Sequence, residues 1–213
     1  DLIEENLVAL EKGVPNLLRH VKNITEVYKL PSVVAINRFP TDTDEEIALI
    51  IKKCGELGVN VKLSEVWAKG GKGGIELAEE VVKLCEKDND FTYSYKTDDT
   101  IENKILAVVK NIYGGDGVSF TASAKKQIAE LEKLGYGSLP VCIAKTQYSF
   151  SDDPTKLGAP SGFTVDVKNV KVSSGAGFIV VYTGEIMTMP GLPKVPAAEK
   201  IDVNEKGVIF GLF

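Results

Sequence analysis

Two aromatic residues mark the parts of this 213-residue sequence whose types and spacing point to ligand binding. Phe39 stands in the stretch NRFPTDT, and Trp67, the only tryptophan, stands in LSEVWAKGGKGG. Aromatic side chains on neighbouring loops can hold a flat ring between them, which adds stacking to the burial of that ring. The same two side chains can instead plug the end of a hydrophobic core, and their position in the sequence does not decide between these interpretations.

The segment that follows Trp67 has the composition of an anion site. Its candidate anion-facing residues are Lys69, Gly70, Gly71 and Lys72. Glycine leaves backbone N–H groups accessible, and the start of a helix favours negative charge, so the expected ligand is a phosphate or a carboxylate. The segment lacks the GxxxxGK[ST] spacing of a Walker A loop. Glycine-lysine segments are also common as plain connectors, so both interpretations stay open.

The residue types give little indication of an acid–base catalytic site or a metal site. The sequence has no plausible Ser-His-Asp set, and its one histidine, His20, is predicted to lie on the polar face of a helix. Cys54, Cys85 and Cys142 are far apart and form no CxxC motif. We predict buried, reduced thiols in a reducing compartment, with no disulfide and no metal site.

Two further motifs carry weaker signals. AINRFPTD resembles the NKxD loop that binds guanine in GTPases, but arginine replaces the lysine and the aspartate comes two residues late. MPGLPKVP has the PxxP spacing of ligands for SH3-like domains. Because apolar residues stand among its prolines, a stiff loop packed on its own protein is the favoured interpretation.

Composition and charge narrow the class of protein. The chain is 44% hydrophobic and 26% charged, as in an ordinary globular protein. Its net charge of −5 argues against nucleic acid as the main partner. No apolar run approaches the roughly 20 residues of a membrane helix, so no membrane partner is predicted.

Residues 31–87 contain the elements that must position the aromatic pair. They read as strand, loop, helix, strand, loop and helix, the pattern of a parallel α/β fold. The apolar run 33–36 predicts a strand buried on both faces. Thr43 and Glu46 predict a capping box at the start of the next helix. Ligands of such sheets bind beyond the carboxyl ends of the strands, and both aromatic residues fall at that edge.

The remaining segments predict a helical start and a different second half. Residues 2–29 have helical spacing, and Gly13 and Pro15 predict a break between two helices. After a polar stretch near residue 88 come two helices, the buried strand LPVCIAKT, a hairpin of two long strands and a short terminal strand. We therefore predict two domains, residues 1–88 of α/β type and residues 89–213 of α+β type.

Four long motifs carry a resemblance to a known family. They are VVAINRFPTDT, LSEVWAKGGKGG, LPVCIAKTQYSFSDDP and GEIMTMPGLPKVPAAEKID. The chain resembles the C-terminal part of formate–tetrahydrofolate ligase over essentially its whole length. The resemblance implies the ATP- and Mg²⁺-dependent joining of formate to tetrahydrofolate, through formyl phosphate, to give 10-formyltetrahydrofolate.

The same resemblance implies roles for individual residues. Phe39 and Trp67 are similar to the family's pair that stacks on the pterin ring of the folate. Leu63 matches an apolar residue that lines the same pocket. That the segment from Lys69 to Lys72 faces the negative groups of the substrates is inferred from its chemistry and not from the family.

The resemblance covers only the C-terminal part of the family, and the N-terminal part is not in this sequence. In the family, an N-terminal portion carries the P-loop and most phosphoryl-transfer residues, so the catalytic residues are expected there. Residues 1–88 would be the last strands and helices of a P-loop-type nucleotide- and folate-binding domain. Because the chain begins without methionine, we expect a fragment, a processed chain or one piece of a split protein.

The expected partners are tetrahydrofolate, formate, ATP and that N-terminal portion, in a cytoplasmic homotetramer. The alternative is a non-catalytic folate-binding or assembly fragment, inactive without the P-loop portion. Intact folate motifs favour the enzyme, whereas the missing P-loop favours inactivity of this chain alone.

Overall fold

The computed structural model describes residues 4–184, 186 and 194–211. Six α-helices lie within them: α1 Leu7–Lys22, α2 Asp44–Gly55, α3 Val66–Lys69, α4 Ile75–Cys85, α5 Ile101–Val108 and α6 Ala122–Lys133. Eight strands lie within the same residues: β1 Val33–Asn37, β2 Asn60–Ser64, β3 Gly117–Phe120, β4 Val141–Ala144, β5 Thr164–Ser173, β6 Phe178–Thr183, β7 Asp202–Val203 and β8 Ile209–Phe210. The predicted mixture of helices with parallel and mixed sheets is confirmed. Only the last three residues of the candidate motif MPGLPKVP are described.

The first sheet is a parallel pair, as the strand–helix–strand pattern predicts. β1 and β2 pair in register from Val33 with Asn60 to Asn37 with Ser64. The predicted capping box is present, because the Thr43 side chain accepts from the Glu46 N–H and the Glu46 carboxylate accepts from the Thr43 N–H. The expectation that β1 is buried on both faces is wrong, since Ala35 is exposed and the described residues supply only two strands to this sheet.

The first helix runs through the predicted break. α1 continues past Gly13 and Pro15, and a single π-helical turn, Asn23–Val27, follows it. Val14 and Val21 lie seven residues apart, so they share one face, and both are buried. Pro15 has no N–H to donate to the carbonyl four residues before it. Because Pro15 is exposed, water can hydrogen-bond to that carbonyl instead. The buried face therefore holds the helix together where the local signal predicts a break.

The second sheet is mixed and has the strand order β3-β5-β6-β4. The predicted hairpin is confirmed as the antiparallel pair β5 and β6. β3 and β4 each pair in parallel with the hairpin strand beside them. The four-residue strand β3 was not predicted, because it is too short for an alternating pattern to stand out.

The main core lies between this second sheet and helices α5 and α6. Its buried members are apolar side chains from both layers: Ile101, Ile105, Ala124, Ile128, Leu131, Val167, Val170, Ile179 and Val181. Among the described residues, no helix has the length and apolar character needed to span a lipid bilayer.

Helix α1 connects the first sheet region to the second. It packs on α2, and its Arg19 reaches the end of the helical segment that contains α5. The Arg19 guanidinium donates to the carbonyls of Ile112, at 3.0 Å, and Asn111, at 2.9 Å. Asn23 donates to the same Ile112 carbonyl at 2.9 Å. The boundary near residue 88 stays a prediction.

The cysteines are free, but two of them are not buried as predicted. Cys54 is buried, whereas Cys85 and Cys142 are exposed. Cys85 is the last residue of α4, and Cys142 lies on the face of β4 opposite Val141 and Ile143. The sequence prediction was wrong for these two because it assumed that both faces of their elements are covered.

Candidate functional site

Phe39 and Trp67 both lie at the carboxyl edge of the parallel pair, as predicted. Their strands end in register at Asn37 and Ser64, and the Arg38 N–H continues the pairing with a 3.1 Å bond to the Ser64 carbonyl. Phe39 is 50% exposed and Trp67 is 70% exposed. Exposure of this extent is not that of side chains that plug a core. Both rings are therefore available to a ligand at the edge where parallel sheets bind ligands.

Leu63 lies beneath this edge. It is half-buried in β2 and is the register partner of Ile36 in β1. The structure thus places the three residues of the predicted folate site on the last residues of two adjacent strands and on the turns that follow them.

A tight turn positions Phe39. The Asp42 N–H donates to the Phe39 carbonyl at 3.1 Å, which closes a four-residue turn with Pro40 in its second position. The Asp42 carboxylate accepts from the Phe39 N–H at 2.8 Å. Both backbone polar groups of Phe39 are therefore bonded to one residue. Sequence reasoning missed Asp42; the signal that could have found the turn is Pro40, since proline is favoured at the second position of such turns.

A short helix positions Trp67, where the sequence predicted a loop. The Glu65 carbonyl accepts from the N–H groups of Ala68, at 3.1 Å, and Lys69, at 2.9 Å. The segment Gly70–Gly74 forms a 3₁₀ turn that leads into α4. The Glu65 N–H donates to the Gly73 carbonyl at 3.0 Å, which ties the end of the turn to its beginning.

The glycine-lysine segment presents only part of the predicted anion surface. Lys69 forms an ion pair of 2.6 Å with Glu65, one helical turn before it, so its charge is already matched. Lys72 is exposed and forms no ion pair within the described residues. Gly70 and Gly71 are exposed, but the Gly70 N–H donates to the Val66 carbonyl. Lys72 is therefore the cation of this segment best placed to meet an anion.

His20 and Lys145 lie away from the aromatic pair, and their contacts support the loop that follows β4. The ring of His20 lies 4.6 Å from that of Phe150. Burial and the positive charge of Lys145 lower the pKa of His20. The Lys145 ammonium donates to the carbonyls of Thr146 and Ser149. The contacts of Lys145 hold the loop after β4. His20 packs against this loop through Phe150 and is not one of the residues at the aromatic site.

A large cavity also lies away from the aromatic pair. It has a volume of about 1370 Å³ and lies between residues 92–98 and the outer edge of β4. It shares no lining residue with the aromatic site, so cavity size alone does not mark that site. Within the described ranges, no three His, Cys, Asp or Glu side chains are grouped as metal ligands.

The fold is that of an α/β protein with two exposed aromatic residues at the carboxyl edge of a pair of parallel strands. All of residues 1–213 match the model of the family described as formate–tetrahydrofolate ligase. The chain belongs to this family, so the predicted resemblance is confirmed. The family is one of ligases that act on formate and tetrahydrofolate with ATP as co-substrate.

Proposed function

We propose that this chain is the folate-side portion of an ATP-dependent ligase and that the pterin ring of tetrahydrofolate lies between Phe39 and Trp67. The observation that carries the proposal is the exposure of both aromatic residues on adjacent strand ends in a chain of this family. Leu63, half-buried beneath them, would supply the apolar floor of the same pocket.

The spacing of the two strands suits a flat ring. Adjacent strands lie about 4.8 Å apart. A ring in contact with an aromatic wall on each face needs walls about 7 Å apart, since each contact takes about 3.5 Å. Phe39 and Trp67 stand two and three residues beyond the paired strand ends, Asn37 and Ser64, which gives room for the wider spacing.

In the proposed reaction, an oxygen of formate attacks the γ-phosphorus of ATP, and ADP leaves. The N10 atom of the folate then attacks the carbonyl carbon of the resulting formyl phosphate, phosphate leaves, and N10 loses its proton. Lys72, with the exposed Gly71 beside it, would face the negative groups of the substrates. Lys69 would act through Glu65 on the shape of the turn, since its charge is already paired.

The phosphoryl-transfer groups would come from another portion of the enzyme. The printed sequence has no GxxxxGK[ST] motif, and we propose that Mg²⁺ enters with ATP on an N-terminal portion. Both outer edges of the β1–β2 pair lack a partner strand among the described residues. Parallel sheets are normally larger and covered on both faces, so this pair is suited to continue into further strands.

Helix α4 supports the same proposal. Its Ile75 and Val82 side chains are 53% and 58% exposed, and they share one face of the helix because they lie seven residues apart. They form an apolar surface on a helix that packs beside the pair. We propose that the N-terminal portion covers this surface in a cytoplasmic homotetramer. The second candidate, a folate-binding fragment with no activity of its own, is favoured by the missing Walker motif alone.

Substitution of the aromatic pair tests the proposal. Trp67→Ala and Phe39→Ala should each weaken tetrahydrofolate binding several-fold, because losing one face of a ring stack typically costs about 0.5–1.5 kcal/mol beyond the lost burial. Nucleotide affinity should change much less. Tyr148→Ala removes an exposed aromatic ring that lies in the loop after β4, and it is the matched control.

The measurement is calorimetric titration of tetrahydrofolate and of Mg·ATP into the enzyme reconstituted with an N-terminal portion. Wild-type tetrahydrofolate affinity in both aromatic variants would show that the pair does not bind the folate.

A further inference from the structure

We propose that Asp42 is a positioning residue that holds Phe39 in the orientation needed to bind the substrate ring. This inference rests on the proposed function, because it takes Phe39 to be one wall of the folate site. Asp42 itself would not touch the substrate. It would act by fixing the backbone that carries the aromatic side chain.

The first observation in support is that the Phe39 ring is only partly packed, so its backbone must hold it in place. The side chain is half exposed, and it forms no aromatic pair with another ring of the described residues. A side chain with so few packing contacts takes its direction from its backbone. Both backbone polar groups of Phe39 are bonded to Asp42, at 2.8 Å and 3.1 Å.

The second support is that the turn is anchored at both ends to rigid elements. On one side, the Arg38 N–H bonds to the Ser64 carbonyl of β2, and the Arg38 guanidinium forms a 2.8 Å ion pair with Asp44. On the other side, Asp42 directly precedes Thr43, the N-cap of α2. Asp42 thus transmits the fixed position of α2 to the residue that carries the ring.

The consequence is a binding site that is already ordered before the substrate arrives. A wall that must be ordered on binding weakens the complex, because the entropy lost by the loop is subtracted from the stacking interaction. Removing the Asp42 carboxylate frees the Phe39 N–H and loosens the turn. The effect should appear in tetrahydrofolate affinity and not in the chemical step or in nucleotide binding.

Three variants separate positioning from charge and from helix stability. Asp42→Ala removes the acceptor for the Phe39 N–H. Asp42→Asn keeps an acceptor oxygen but removes the charge, so it should retain the turn. Glu45→Ala removes an exposed acidic residue from the first turn of α2 whose side chain forms no hydrogen bond or ion pair among the described residues, and it is the matched control for helix effects.

The experiment measures the KM for tetrahydrofolate, the KM for ATP and kcat in the reconstituted enzyme. D42A should raise the tetrahydrofolate KM roughly three- to tenfold with little change in kcat or in the ATP KM. D42N and E45A should stay within about twofold of wild type. In this chain alone, hydrogen exchange at the Phe39 amide should be faster in D42A than in wild type.

A double variant shows whether Asp42 acts through Phe39. In the Phe39→Ala background, D42A should add nothing further to the tetrahydrofolate KM. An additive effect there, or a wild-type KM in D42A, would overturn the role of Asp42 alone. If Phe39→Ala itself leaves the tetrahydrofolate KM unchanged, the folate assignment is wrong, and the role of Asp42 falls with it.

Discussion

At the scale of single residues, two of the glycines after Trp67 are required for different structural reasons. Gly70 has a φ of +59°, a backbone conformation that residues with a Cβ rarely adopt. A Cβ at Gly73 would lie 2.4 Å from the carbonyl carbon and oxygen of Glu65. These two glycines are therefore needed to form the turn beside Trp67. Gly71 has open space around it, so it and Lys72 are the members of the segment left free to meet a ligand.

The different exposure of the cysteines predicts their reactivity with a thiol reagent. In the folded chain, Cys85 and Cys142 should react readily because they are exposed. Cys54 should react far more slowly, because it is buried and burial raises the pKa of its thiol, which lowers the fraction of reactive thiolate.

A spectrophotometric thiol titration measures both results. The native chain should show two fast thiols, and the denatured chain should show all three. Fewer than three thiols after denaturation would reveal a disulfide or an oxidised cysteine, contrary to the free thiols of the structure.

At the scale of elements, a buried lysine holds α5 to the turn after α6. Lys104 on α5 is fully buried, and its ammonium donates to the carbonyls of Gly137, at 2.6 Å, and Leu139, at 3.0 Å. These carbonyls follow the end of α6 and precede β4, so one side chain fixes a helix against the entry of a core strand. Burial lowers the pKa of Lys104, and nearby Asp99, Asp98 and Glu132 partly offset this effect.

Lys104→Met should lower the free energy of unfolding by about 1–3 kcal/mol, because two carbonyls of half-buried residues lose a donor. The unfolded chain binds more protons at this lysine than the folded chain does as the pH approaches 10.5, since the folded pKa is the lower one. Wild-type stability relative to the variant should therefore increase as the pH rises through the window below 10.5.

Urea unfolding of both proteins, from neutral pH upward, checks the magnitude and the sign. Lys125→Met, at an exposed lysine of α6, is the matched control and should be nearly neutral. A stability difference that shrinks as the pH rises would contradict the burial of a charged amine at position 104.

At the scale of the whole molecule, the described residues combine a four-stranded sheet that covers the main core with a separate parallel pair of strands. The four-stranded sheet packs on α5 and α6 around a continuous set of buried side chains. The β1–β2 pair carries the aromatic site but has two described strands and an exposed apolar helix beside it. The proposed site therefore lies on the part of the molecule that we propose joins an N-terminal portion of the enzyme.

This arrangement predicts what the chain does by itself. The purified 213-residue chain should show no formate-dependent ADP production, because phosphoryl transfer needs positioned cations and backbone donors around the phosphates. Activity should appear when an N-terminal portion carrying the Walker motif is added.

The assay is ADP release with formate, tetrahydrofolate and Mg·ATP, with and without that portion. Turnover by this chain alone, in a preparation shown to be free of longer enzyme, would contradict the proposal and require a phosphate site among the residues present.

Local signals in the sequence determined most of the elements of this protein and the position of its candidate site in the chain. The Thr43–Glu46 capping box and the hairpin turn each act over a few residues, and the strand–helix alternation is a series of elements that each have their own local pattern. Each could therefore be predicted without knowing which residues meet in space. The same alternation placed Phe39 and Trp67 at the carboxyl edge of a parallel sheet.

Only the tertiary structure decided how exposed, paired or constrained each residue is. Helix α1 continues through Pro15 because distant packing outweighs a local break. Cys142 is exposed because nothing in the described chain covers that part of β4. The bonds of Asp42 to Phe39 and the approach of Gly73 to Glu65 depend on how turns fold back on themselves. No local sequence pattern predicts which residues form such contacts. The arrangement of the residues around Phe39 and Trp67 therefore had to come from the structure.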